Sequence, residues 1–150
     1  MAHIGSHRTG ADCARVRDIE REGGGVDNAR VVVTMPADPS FLRLARLAAA
    51  DAGTRAGFTV EDVEDLRLAI DELCGPLMNG RGGTISLTFF AVDGRVDIEG
   101  RGPAPVDEPA YADIGDAIIT AVVDEHEIES RDGMQSFRAV KRSSPEHASG

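Results

Sequence analysis

One amphipathic stretch, residues 63–79, constrains the fold of this chain more than any other feature. Its large apolar residues recur with the period of an α-helix, at Val63, Leu66, Ile70, Leu73 and Leu77. A stripe of this kind is stable only when it is buried against another layer of structure. Acidic residues are concentrated near its beginning, where they suit the positive end of a helix dipole. The stretch therefore predicts a helix that packs on a core and keeps a polar face outward.

Short β-branched and alternating segments predict five strands around this helix. They span residues 30–35, 84–91, 95–99, 126–130 and 135–140. Pro36 stops the first strand, because proline cannot donate a ladder hydrogen bond. Asp93-Gly94 and Asp132-Gly133 are typical of two-residue turns, so the last four strands form two hairpins. A proline-rich loop, residues 100–109, is expected between the hairpins.

Two more helices are predicted from apolar periodicity. The first begins near Phe41, after the candidate N-caps Asp38 and Ser40. Its predicted inner face consists of Phe41, Leu44, Ala45 and Ala48. The other helix precedes the second hairpin, and its predicted inner face consists of Ile114, Ala117, Ile118, Ala121 and Val122.

The resulting order, β-α-α-β-β-α-β-β, predicts an α/β fold. Helices interleaved with hairpins are typical of a two-layer α/β sandwich, with a mixed, mostly antiparallel sheet and the helices on one face. Residues 28–142 form the predicted domain. Residues 1–27 contain a Gly-Gly-Gly run and are interpreted as a flexible leader, and residues 143–150 as a polar tail.

Composition excludes several classes of protein. The net charge of −10 argues against direct binding of nucleic acid, which requires a basic surface, and against an anionic membrane. No apolar run has the length of a membrane span, and no signal-peptide core is visible, so we expect a cytoplasmic protein. Cys13 lies in the leader and Cys74 in the amphipathic helix, so a structural disulfide is not expected.

The order of elements and three segments resemble a known family. The segments are Met35-Pro36-Ala37-Asp38-Pro39, residues 65–74 with the sequence DLRLAIDELC, and residues 121–125 with the sequence AVVDE. Together they resemble the GHKL (histidine-kinase-like) ATPase fold, in the branch of bacterial anti-sigma factors that act as serine-protein kinases. The resemblance covers roughly residues 31–141.

The resemblance implies a general base and a metal ligand on the amphipathic helix. In active members a glutamate is the base, and an asparagine four residues later coordinates the magnesium that bridges the ATP phosphates. The matching positions are Glu72 and Pro76. They are one helical turn apart and would face one site, but proline has no side-chain ligand and tends to end a helix. Asn79 lies further along the axis and is not expected to replace it. The resemblance therefore assigns Glu72 as the candidate catalytic residue and leaves no metal ligand.

The nucleotide-binding motifs that the resemblance implies are also altered. The family reads adenine with the aspartate of an Asp-x-Gly-x-Gly pattern, and this chain has Ile98 in that place, followed by Gly100 and Gly102. Asp97 and Glu99 flank Ile98, but alternation along a strand predicts that both point away from the pocket. The two glycines are candidate cofactor-binding residues, although a turn requirement explains them equally well.

A third motif is a glycine-bearing lid before the last helix. It corresponds here to Ile114-Gly115-Asp116, so Gly115 is a third candidate cofactor-binding residue.

The function implied by the resemblance is regulatory. We expect a cytoplasmic anti-sigma-type protein that binds a sigma factor and an anti-anti-sigma antagonist, with weak or no binding of ATP and magnesium. One alternative is an active serine kinase that phosphorylates the antagonist with Glu72 as base. Another is a scaffold that reuses the fold for a different partner. Homodimerisation is common in the family and is not readable from these residues.

Overall fold

A computed structural model describes residues 30–106 and 112–145, and the order of its elements is the predicted one. The leader and Cys13 lie outside the described residues. The elements are β1 (Arg30–Pro36), α1 (Leu42–Arg55), α2 (Val60–Cys74), β2 (Thr84–Val92), β3 (Arg95–Pro103), α3 (Ala112–Val122), β4 (Glu125–Arg131) and β5 (Met134–Arg142). Short 3-10 turns, Pro39–Phe41 and Gly75–Leu77, precede α1 and follow α2.

The strands form one five-stranded sheet in the order β1-β2-β3-β5-β4. All of its pairings are antiparallel, so the sheet over the described residues is not mixed. Both predicted turns are present. Gly94 has a φ of 80° in the first, and Asp132 and Gly133 have φ values of 53° and 77° in the second. In the second turn both central residues have positive φ, which is typical of the type I′ hairpin turn, whose twist matches that of the flanking strands.

The core lies between the sheet and the helices, which confirms the two-layer sandwich. From the sheet, Leu87, Phe89 and Ile98 are at most 2% exposed. From α2, Leu66 and Ile70 are fully buried, and the remaining members of its apolar stripe are buried or half-buried. Thr59 caps α2 by accepting a hydrogen bond from the backbone N–H of Asp62 at 3.2 Å.

The inner face predicted for α1 is wrong in part. Ala45 and Ala49 are fully buried, whereas Phe41 and Leu44 are 38% and 42% exposed. Phe41 belongs to the 3-10 turn that precedes the helix, so its side chain is out of phase with the α-helical period. The small alanines face the core, and the larger side chains remain at its margin. The face of α1 that packs against the sheet therefore consists of small residues, among them Ala45, Ala49 and Ala52.

The inner face predicted for α3 is also wrong in part. Ile119 is the buried residue of this helix, and Ile118 and Val122 are half-buried. Ile114 is 57% exposed, and Ala117 and Ala121 are exposed as well. The polar residues Asp113, Asp116 and Thr120 share one exposed face of α3, and packing against α2 decides which of the remaining apolar residues are covered. None of the described helices combines the length and hydrophobicity needed to cross a bilayer.

Candidate functional site

A cleft of about 670 Å³ lies between the C-terminal end of α2, the first turns of α3 and the β4–β5 hairpin. Glu72, Pro76 and Gly115, three of the residues singled out in the sequence, line it. Its volume is within the range of about 300–1,000 Å³ that is usual for ligand sites. The fold therefore brings the Glu72 motif of α2 next to the Gly115 motif of α3, although two strands separate these helices in the chain.

Glu72 lies directly against Gly115. A Cβ atom at position 115 would approach the Oε1 atom of Glu72 to 2.8 Å, closer than non-bonded contacts allow. The absence of a side chain at Gly115 thus makes room for the carboxylate between α2 and α3. A side chain at position 115 would therefore require the Glu72 carboxylate to move.

Pro76 ends the helix that carries Glu72. Helix α2 stops at Cys74, and residues 75–77 form a 3-10 turn with the proline inside it, as expected for a residue without a backbone N–H. The proline lines the cleft at the position for which the resemblance implies a metal-binding asparagine. Asn79 does not line the cleft, and its Oδ1 atom accepts a hydrogen bond from the backbone N–H of Arg81 at 2.8 Å.

Ile98, Gly100 and Gly102 do not line this cleft. All three lie on the buried face of β3, which runs on to Pro103 where the sequence predicts a loop beginning at Gly100. A Cβ atom at Gly100 would overlap the ring of Phe137 on β5, the residue paired with it in the sheet. A Cβ atom at Gly102 would lie 2.9 Å from Ile85. Close packing inside the sandwich accounts for both glycines, rather than a turn.

The residues flanking Ile98 have the predicted orientation. Glu99 is exposed, and Asp97 accepts hydrogen bonds from the side chains of Arg95 and Arg138 on the outer face of the sheet. Burial alone would raise the pKa of the Asp97 carboxyl, but the hydrogen bond and charge of Arg95, helped by Arg138, lower it below its ordinary value. Neither acid is available to a ligand in the cleft.

The described lining of the cleft is acidic. Its lining includes Glu72, Asp113 and Asp116, and no lysine or arginine among the described residues. Asp116 is within 3.2 Å of the Nε2 atom of His126. ATP phosphates need cationic side chains, backbone N–H groups or a metal to balance their charge. No group of three or more potential ligands within residues 30–106 and 112–145 has metal-binding geometry. The described lining therefore supplies no cationic side chain for the phosphates of a nucleotide.

A buried polar cluster escaped detection in the sequence. Asp62, at the beginning of α2, is only 1% exposed and accepts hydrogen bonds from the backbone N–H and the hydroxyl of Ser144, at 3.0 and 2.6 Å. Lys141 lies 3.8 Å from Asp62 and 3.3 Å from Asp65, and donates to the backbone oxygen of Val122 at 2.9 Å. The cluster joins α2, α3 and β5, and it includes a residue of the segment predicted to be a polar tail.

The titration of two buried groups follows from their surroundings. Burial alone would raise the pKa of Asp62, but the Ser144 hydrogen bonds and the charge of Lys141 hold it below its ordinary value. Burial, with a smaller contribution from Asp71, raises the pKa of the Cys74 thiol to about 12. Cys74 is therefore a protonated, apolar residue of the core at neutral pH.

Comparison with known proteins finds relatives of low sequence identity that share one name, serine-protein kinase RsbW. No family model matches the chain. It is 31% identical over 71 residues to the serine-protein kinase RsbW of Halalkalibacterium halodurans, an alignment that covers 45% of this chain and 44% of the relative. It is 23% identical over 130 residues to RsbW of Bacillus pumilus, covering 69% and 80%. With RsbW of Bacillus subtilis the identity is 25% over 73 residues, covering 45% and 46%.

In the first and third of these alignments the chain spans about half the length of the relative. The repeated similarity to proteins of one name supports the resemblance read from the amphipathic helix.

Proposed function

We propose that this chain is a cytoplasmic regulator of anti-sigma type that acts by binding proteins and does not use ATP. The observation that carries the proposal is the composition of the cleft. It places a proline where a magnesium ligand is required and surrounds Glu72 with further carboxylates instead of cations. Carboxylates without cationic neighbours repel the phosphates of a nucleoside triphosphate.

The residue at the position that the resemblance assigns to adenine recognition supports the same proposal, although it lies outside the cleft. The residue that replaces the adenine-reading aspartate, Ile98, is 1% exposed and packs in the core. It offers no hydrogen-bond acceptor, and loss of one partner from a buried hydrogen bond costs about 1–3 kcal/mol. Affinity for the base would therefore fall together with affinity for the phosphates.

The proposed partners come from the family resemblance. They are a sigma factor, which the protein would sequester, and an anti-anti-sigma antagonist, which would release it. The acidity of the chain is compatible with covering a basic, DNA-binding surface. Direct contact with nucleic acid or a membrane is not part of the proposal.

Affinity purification tests the protein-binding function. The tagged full chain is used as bait in extract of its own organism, with the tag alone as control, and recovered proteins are identified by mass spectrometry. We expect a sigma factor or an anti-anti-sigma antagonist, in the same amount with and without magnesium and ATP. Recovery of neither protein would contradict the proposal, and so would binding that depends on ATP.

A second candidate function is phosphate transfer to a serine of the antagonist, with Glu72 as general base. Two observations favour it: Glu72 lies in the cleft, and the relatives carry the name serine-protein kinase. Incubation of the protein with radiolabelled ATP and the antagonist tests this function. Label transfer that Glu72→Ala abolishes, while the circular dichroism spectrum stays unchanged, would establish it in place of the first.

A further inference from the structure

Glu72 differs from most acidic residues of its helix in having no basic partner within the described residues. The protein pairs four other acids of α2 with its own cations: Asp62 and Asp65 with Lys141, Glu64 with Arg67, and Asp71 with Arg46. Glu72 is half-buried, faces the cleft and takes part in none of the ion pairs among described residues. Burial of an unpaired carboxylate costs free energy that a cationic ligand would recover.

The other walls of the cleft are both acidic and apolar. Asp113 adds a second carboxylate that forms no ion pair among described residues. Ile128, Pro76 and Ala104 supply apolar surface, and Ile128 is 44% exposed although it is a large aliphatic residue. An apolar floor beside unpaired carboxylates complements a side chain with an aliphatic stem and a positive end.

We propose that the cleft is a docking site for a cationic, partly apolar segment of a partner protein, in which an arginine or lysine reaches Glu72 and Asp113. The inference rests on the proposed function, since it locates one contact of that protein–protein complex. A guanidinium group is the better match, because it can bind two carboxylate oxygens at once and is weakly hydrated.

The overall field of the protein favours the same occupant. The net charge of −10 draws basic segments towards the surface and speeds encounter, whereas the local carboxylates select where they dock. On the β4–β5 wall the hydroxyl of Ser130 donates a hydrogen bond to the Oε1 atom of Gln135 at 3.0 Å. The Ser130 oxygen can still accept a hydrogen bond from the backbone of an incoming segment, and the Gln135 NH2 group can still donate one. A peptide uses this combination of apolar, charged and amide-compatible walls more fully than a small cation does.

A binding measurement with a defined probe tests the proposal. The probe is a short fluorescein-labelled amphipathic peptide of leucine and arginine, and its matched control carries neutral citrulline in place of each arginine. Fluorescence anisotropy is measured with the full chain, with a cleft variant that combines Glu72→Gln and Asp113→Asn, and with a control variant that combines Glu61→Gln and Glu99→Gln. Both control positions are exposed and lie outside the cleft. Each variant replaces two carboxylates by amides, so the two variants have equal net charge.

We expect the cleft variant to bind the arginine peptide about tenfold more weakly than the wild type, because about 1.4 kcal/mol of charge-assisted contact corresponds to one factor of ten. The control variant should differ by less than about twofold, as exposed charges contribute little. The citrulline peptide should bind all three proteins weakly. Equal weakening by the two variants would mean that only net charge matters and would overturn the proposal.

Two-dimensional NMR of the wild-type protein removes any dependence on the folding of the variants. The peptide should shift the backbone amide signals of Gly115, Ser130 and Gln135, and leave those of Glu61 and Glu99 in place. Shifts confined to the outer face of the sheet would contradict the proposed site. Spermine binding at the cleft without binding of the peptide, or a dimer that the cleft variant abolishes, would assign the cleft to another occupant.

The outcome is separable from that of the proposed function. If the partner protein binds the cleft variant as tightly as the wild type, the docking site is wrong and the regulatory function stands. If the wild type binds no sigma factor and no antagonist but still binds the peptide at the cleft, the docking chemistry stands and the proposed partners are wrong.

Discussion

Replacement of Asp62 by asparagine should destabilise the protein much more than the same replacement of Asp65, one turn further along α2. Both carboxylates contact Lys141, so the two variants form a matched pair. The side chain of Asp62 is 2% exposed and that of Asp65 is 40% exposed. Asp62 also holds Ser144 through two hydrogen bonds, whereas Asp65 makes a single contact of 3.3 Å with the lysine.

The expected magnitudes follow from this difference in burial. Breaking a fully buried ion pair costs about 3–5 kcal/mol. Lys141 keeps Asp65 and the backbone oxygen of Val122 as partners, so we expect Asp62→Asn to lower the free energy of unfolding by about 2–3 kcal/mol. An exposed pair contributes at most about 1 kcal/mol, which is the upper limit expected for Asp65→Asn.

Urea unfolding followed by circular dichroism measures both values at neutral pH. Folding lowers the pKa of Asp62, so the charged form stabilises the native state above the unfolded pKa of about 4, and this contribution is lost as pH falls through the lower folded value. The gap between wild type and Asp62→Asn should therefore narrow on acidification below about pH 4. Equal losses for the two variants, or a gap that widens in acid, would refute the reasoning.

Three further predictions concern the core and the cleft. Gly100→Ala should lower the free energy of unfolding by about 1–3 kcal/mol, because the new methyl group overlaps the Phe137 ring. Thermal unfolding should show that adding Phe137→Leu restores part of the lost stability. A double variant no more stable than Gly100→Ala would contradict this packing. In a Cys13→Ser background, Cys74 should resist Ellman's reagent at pH 8 until urea unfolds the protein, since its pKa is about 12; rapid labelling of the native state would disprove this. Pro76→Asn should restore no magnesium-dependent ATP binding by calorimetry, because the described lining of the cleft would still contain no basic residue. Micromolar affinity would show that the proline alone blocks the site.

The order of the elements could be predicted because local signals mark each boundary. Asp93-Gly94 and Asp132-Gly133 can form the hairpin turns with little strain, and Thr59 supplies a hydrogen-bond acceptor at the beginning of α2. Pro76 ends α2 by the loss of its N–H group. Such effects act over a few residues and are therefore visible in one sequence.

Features that depend on distant packing could not be predicted. The strand β3 continues through Gly100 because Phe137, on another strand, fills the space above it. Asp62 is buried because Ser144 and Lys141, about 80 residues later in the chain, pack against it. The inner face of α1 was misassigned because alanines and larger apolar residues alternate around that helix, and only the sheet selects between them.

The candidate site likewise has features that the sequence predicts and features that only the fold reveals. Glu72 and Pro76 are one turn apart, so their shared location could be inferred from helical geometry. The approach of Gly115 to Glu72 across two helices became visible only in the fold. The acidity of the cleft likewise arises from residues of α2 and α3 that are far apart in the chain.

Isothermal titration calorimetry with ATP, in the presence and absence of magnesium, tests the central claim most directly. The cleft around Glu72 contains carboxylates and a proline where a nucleotide would need cations and a metal ligand. We predict no heat of binding at millimolar ATP under either condition. Saturable binding that requires magnesium and is abolished by Glu72→Ala would contradict the account and establish the site as a working ATP-binding centre.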